Sequence, residues 1–323
     1  MDVRASTSQY LKGMLFQPGC TSMNLAPSPK PLMLTPKDEE ILKVINTYRF
    51  VTTLDIAHLL YRPTYLPYVR KRLSRLAGGK DLQPDTYLVR FWLPSSVGNR
   101  ERIFTLGEKG RAFLREVAGL TVDWRFQIAK FKFFSFSNIL HNLLLTRFLI
   151  ACHVWARGNS VTILQERTSY ELSQTPLKVA LPDKKTLTVI PDAWLFFETA
   201  DGKYAVLFEL DRGMEHGEKF KQHVKGRIEL IRSGKYKETF GVPAVIVAYL
   251  TTGQTPEYRN TRVKTMNTWT REVLAESNRV ASWGSIFRFT AVEFDSLYES
   301  ISSIFDQPVW LRPDTKDLVR LFG

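Results

Sequence analysis

The spacing of apolar and polar positions divides the chain after residue 34. Residues 1–34 hold Pro27, Pro29 and Pro31 among Ser, Gly and Asn with no hydrophobic period, so a flexible arm is expected there. Periodicity begins at Thr35-Pro36, a capping residue followed by proline at the first helical position. Asp38, Glu39 and Glu40 then place negative charge in the positive first turn, and Ile41, Leu42 and Ile45 form the apolar stripe. A second short helix is expected over 52–61 and a third over 66–77, closed by Gly78-Gly79. Alternating runs at 87–93 and 102–106, joined by the turn-rich PSSVGNR, read as a β-ribbon, and a helix over 108–117 completes this region.

After a hinge over 118–136 the pattern changes. A long helix is expected at about 138–157, then strands near 161–166, 186–197 and 203–211. A helix over 215–233, an apolar strand over 244–250, a helix over 261–277 and a strand over 287–294 follow. That order predicts a mixed-sheet α/β sandwich over 137–305, with 306–323 as a C-terminal tail. The whole is therefore α+β or α/β in class, with no internal repeat. The apolar helix near 139–155 is interrupted by His141, Asn142, Thr146 and Arg147, which predicts a buried helix rather than a membrane span.

Charge sharpens this picture. The chain of 323 residues carries a formal +13. Residues 1–130 hold 20 Lys/Arg against 11 Asp/Glu, and the remainder 25 against 21, so the excess sits at the front. Such an excess points to a polyanion, because neutralised phosphates release condensed counterions. Three helices and a ribbon over 35–117 are the winged-helix arrangement, in which the third helix enters the major groove of duplex DNA. The DNA-binding candidates are Arg62, Tyr65, Arg70, Lys71, Arg72, Arg75 and Lys80, with Arg100 and Arg102 on the ribbon. Residues 62–80 hold 6 positive charges and no acidic one. Val69, Leu73 and Leu76 give that helix a buried face, and the alternative use of such a module is protein contact. Cys20 and Cys152, with five scattered histidines, show no metal-ligand spacing, so a reducing, cytoplasmic setting is expected. GxxxxGK[ST] does not occur, and no nucleotide cofactor is expected.

Pro191-Asp192 lies in the β-rich run TLTVIPDAWLFFE, and Glu209-Leu210-Asp211 follows at the end of AVLFELD. Strand alternation puts Glu209 and Asp211 on one face. Carboxylates at the ends of adjacent strands repel unless a cation lies between them, and such a set suits Mg²⁺ or Mn²⁺. Glu166, on the preceding strand, is a further candidate ligand, and Lys221 or Arg227 on the next helix is placed to lean toward the carboxylates. The alternative is that Asp211 pairs with Arg212 or another base and that the region only binds DNA.

This strand–PD–strand–ExD–helix run resembles the PD-(D/E)xK nuclease superfamily, a restriction-endonuclease-like fold, although Asp211 stands where that pattern has lysine. The segments LTPKDEEIL, YVRKRLSRL, FTLGEKG, the helix start at His141, PDAWLFF and FELDRG, in that order, resemble the replication-relaxation family of plasmids and mobile elements. The resemblance implies a role in mobile-element DNA replication or transfer, with duplex DNA and the element's replication or transfer proteins as partners. Two readings follow: a metal-dependent DNA endonuclease, and a non-catalytic initiator or regulator that recruits partner proteins.

Overall fold

The computed structural model describes residues 32–92, 101–122, 136–181 and 186–322. Residues 1–34 separate as a unit from 35–323. The expected arm, apart from 32–34, lies outside the described residues, as do Cys20, Arg100 and most of the expected hinge.

From Thr35 onward the elements follow the expected order. They are α1 (Pro36–Tyr48), β1 (Val51–Thr52), α2 (Thr53–Leu60), α3 (Leu66–Leu76), β2 (Leu88–Trp92), β3 (Arg102–Leu106) and α4 (Glu108–Glu116). Capping boxes start α1 and α2: Thr35 with Asp38, and Thr52 with Asp55. The strands form an antiparallel sheet in the order β1-β3-β2. Arg90 ties β2 to the end of α3 by donating to the Ser74 hydroxyl at 3.0 Å and the Gly79 carbonyl at 2.9 Å.

The rest comprises α5 (Phe136–Gly158), β4 (Thr162–Thr168), α6 (Ser169–Gln174), β5 (Leu177–Ala180), β6 (Thr186–Val189), β7 (Ala193–Thr199) and β8 (Gly202–Asp211). It continues with α7 (Gly217–Arg232), α8 (Lys235–Phe240), β9 (Ile246–Thr251), α9 (Pro256–Ala275), α10 (Val280–Trp283), β10 (Phe287–Ala291) and α11 (Leu297–Asp306). Five strands make one mixed sheet, β10-β9-β8-β7-β4; β8, β9 and β10 run parallel, and β7 is antiparallel to β8 and β4.

One face of that sheet, with Trp194, Leu207, Val247 and Phe287, packs on Phe220 and Val224 of α7 and Met266 of α9. The other face meets α5 and α11, where Phe148 lies 4.8 Å from Phe208 and Trp155 stacks 4.0 Å from Phe305. Among the described residues α5 is the one helix long and apolar enough to cross a membrane, and 67% of its apolar window is buried inside the protein.

Three expectations change. The single strand over 186–197 is two, because Ile190-Pro191-Asp192 interrupts it: β6 pairs with β5, and β7 pairs with β8 and β4. Proline has no N–H to continue a ladder. The helix expected from 261 begins at Pro256, capped by Thr255. The residues after Asp306, expected as a tail, are built in: Trp310 and Leu321 are fully buried, and Phe322 packs 5.2 Å from Phe197.

The front helices are fastened to α5 and α11. Arg147 donates to Glu101 at 2.8 Å and lies 3.6 Å from buried Asp55, which accepts from the Tyr298 hydroxyl at 2.7 Å. Phe50, Phe91 and Ile103 share a core with Ile139 and Leu143 of α5. Residues 35–323 accordingly form one compact unit.

Candidate functional site

Two regions hold the candidate residues, the outer face of α3 and the end of the mixed sheet. In α3, Val69, Leu73 and Leu76 are buried as expected. At about 100° per residue, Lys71 falls nearly opposite that stripe, with Arg70 and Arg75 on its flanks. Arg62, Tyr65, Arg70, Lys71, Arg75 and Lys80 are all exposed. The five cations in that group have no ion pair among the described residues.

Arg72 is different. It forms a bidentate pair with buried Asp38 of α1 and so joins the packing of two helices instead of the cationic surface. Two residues from Arg70 is about 200° of turn, which carries its guanidinium to the protein side. Arg102, opposite Trp92 in the ribbon, places its guanidinium 4.7 Å from that ring.

At the other end, the break at Pro191 lets Asp192 reach β8: its Oδ2 accepts from the Leu210 amide at 2.8 Å, and its Oδ1 lies 3.1 Å from His141 Nε2. Asp192, Glu209, Asp211 and His141 line one cavity of about 320 Å³, together with Arg227 and Tyr249. Burial opposes charge on His141, but the Asp192 hydrogen bond and charge outweigh it and hold its pKa above the ordinary value. Burial, only partly countered by Arg227 and reinforced by Asp192, pushes the Glu209 carboxyl up to about 7.

Each carboxylate has a partner. Arg227 of α7 donates to Glu209 Oε1 at 2.7 Å. Arg262 of α9 holds both oxygens of Asp211 at 2.9 Å. Lys221, the other expected base, turns to Glu218 and Glu272 instead. Glu166 does not join this cluster. Its register partner is Leu195, on the α5 face of the sheet, and its Oε2 lies 2.5 Å from His153 Nε2.

A divalent cation of the kind the nuclease resemblance implies needs carboxylate oxygens turned toward it. Here arginine N–H groups, a backbone amide and an imidazole take both oxygens of Asp192 and of Asp211, and Oε1 of Glu209. No group of three or more His, Cys, Asp or Glu stands in metal-holding geometry among the described residues. The donor set, as arranged, does not fit the ion.

The model of the family described as replication-relaxation matches residues 42–246. That is well over half of the chain. The chain belongs to the replication-relaxation family. Membership supports a role connected with the replication of mobile elements. No curated protein and no solved structure matches the chain.

The matched span of this replication-relaxation protein runs from α1 to the start of β9, so Arg262 on α9 lies beyond it. Sequence reasoning missed Arg262, which reaches Asp211 across 51 positions. It also missed Tyr249 and gave His141 no role, although a histidine interrupting an apolar helix is a readable signal.

Proposed function

We propose that this replication-relaxation protein binds duplex DNA through residues 35–117, acting as a winged helix with α3 as the reading helix. On this reading the sheet region, 137–305, is a nuclease-like scaffold that recruits replication or transfer proteins of the element without cutting DNA. The observation that carries the first part is the outer face of α3. Arg70, Lys71 and Arg75 stand exposed without acidic partners among the described residues, beside Arg62, Lys80 and the exposed rings of Tyr65 and Tyr68. Long cations on one helix face suit phosphate contact, and the exposed tyrosines offer stacking and hydrogen-bonding surface at its edge. Arg102 and the ribbon would lie against the flanking backbone.

The test is a salt titration of duplex binding. Replacing Arg70, Lys71 and Arg75 by Gln should weaken binding and flatten the log–log salt slope by roughly 0.9 for each phosphate no longer neutralised. Arg72→Gln should instead lower the melting temperature, because it strands Asp38. Unchanged affinity and slope in the triple variant would refute the assignment.

One observation favours a second reading, a nuclease. A cavity holds a carboxyl with a strongly raised pKa beside a His–Asp pair, which is how active sites often look. This reading requires Arg227 and Arg262 to release their carboxylates. Metal-dependent cleavage of plasmid or branched DNA that is lost in Asp192→Asn and Glu209→Gln would establish it over the non-catalytic one.

A further inference from the structure

Among the described charged side chains at the cavity, one cation has no carboxylate partner. Asp192 has His141, Glu209 has Arg227, Asp211 has Arg262, and Glu215 has His223 at 3.1 Å and Lys219 at 3.6 Å. Arg212 has no carboxylate partner among the described residues. It donates to the Ser137 carbonyl at 2.7 Å and hydroxyl at 3.1 Å. A second group in the same cavity is also unmatched. Tyr249 is 5% exposed, and its buried hydroxyl has no hydrogen-bond partner among the described residues. Its ring stacks 5.0 Å from Phe289 and meets Phe220 at 5.3 Å. Burial first, and then the Glu209 charge, push its pKa well up, which keeps it a proton donor. A buried hydroxyl with no acceptor is destabilising, so its retention calls for an acceptor that arrives from outside.

Both unmatched groups donate: among the described residues, a guanidinium without a carboxylate and a hydroxyl without an acceptor. We infer that this cavity is a metal-free anion site that takes a phosphoryl group carried on a single nucleic-acid strand, with Arg212 and the Tyr249 hydroxyl as its donors. The guanidinium fork matches two phosphate oxygens. A volume of about 320 Å³ admits a nucleotide-sized group. Exposed Met214 and Ile190 at the lining give the sugar or base an apolar surface to rest on. The site stands apart from α3, so it holds or fails independently of the winged-helix reading.

The experiment titrates the full chain with a short single-stranded thymidine oligonucleotide, followed by fluorescence anisotropy, with dTMP and inorganic phosphate as competitors. Arg212→Gln and Tyr249→Phe should each weaken oligonucleotide binding about tenfold or more and leave duplex affinity unchanged. The Gln triple variant in α3 should show the reverse. Tyr249→Phe should also melt no lower than wild type without ligand, since it removes an unmet polar group. Equal oligonucleotide affinity in wild type and both variants would overturn the inference. So would a lower melting temperature for ligand-free Tyr249→Phe, which would reveal an internal partner for the hydroxyl. If dTMP or phosphate alone binds as tightly as the oligonucleotide, the strand assignment falls in favour of a free nucleotide or phosphate.

Discussion

Replacing Arg262 by Met removes the group that neutralises Asp211 and keeps most of the aliphatic length. Asp211's side chain is 5% exposed and Arg262's is 11%, so the carboxylate left behind has little access to water. It loses two charge-assisted hydrogen bonds of 2.9 Å. Removing one partner of a buried pair costs about 3–5 kcal/mol. At 2–4 °C per kcal/mol, the melting temperature should fall by roughly 6–20 °C. Part of that loss is not ionic, because Arg262 also donates to the Glu215 carbonyl at 2.8 Å and lies over Trp269 at 5.2 Å. Asp211→Asn combined with Arg262→Met isolates the ionic part, since an amide tolerates burial better than a bare carboxylate. The double variant should recover about 1 kcal/mol or more of the single variant's loss. Thermal melting by circular dichroism reads all three proteins, with and without Mn²⁺. The freed carboxylate should let Mn²⁺ stabilise Arg262→Met and not the wild type. Wild type and Arg262→Met melting within about 2 °C of each other would refute the structural role of the pair. Equal stabilisation of both by Mn²⁺ would refute the claim that arginine excludes the cation.

Gly110→Ala should destabilise the protein by about 1–3 kcal/mol or more in urea melts, because an added Cβ would stand 2.2 Å from the Tyr87 carbonyl oxygen; a neutral result would mean that α4 can shift away from β2. Glu209 makes a pH prediction. Its carboxyl sits at about 7 when folded against an ordinary 4.5, so the folded state binds more protons between those values, and stability falls as pH rises from 4.5 to 7. Wild type minus Glu209→Gln should show that slope, at most about 1.4 kcal/mol per pH unit, and be flat outside the window; a difference curve flat throughout would contradict the raised pKa.

Much of the fold was legible because its causes are local. Caps at Thr35 and Thr52, the stripe Val69–Leu73–Leu76 and the alternation in β8 depend on residues a few positions apart, and short-range sterics and hydrogen bonds decide them. The FTLGEKG segment was recognisable for a similar reason: Gly107 and Gly110 pass so close to the Thr86 and Tyr87 carbonyls that no side chain fits. Long-range pairing was not legible. Arg70 and Arg72 are the same residue type two positions apart, yet the partner on α1 makes one of them part of the packing and leaves the other exposed. Likewise, Asp192, Glu209 and Asp211 read as a cation site from their strand positions, and their convergence on one cavity agrees with that spacing. Whether they face an ion or a guanidinium depended on α7 and α9 delivering Arg227 and Arg262. An ion pair is decided by distance in space and by desolvation, and sequence spacing records neither.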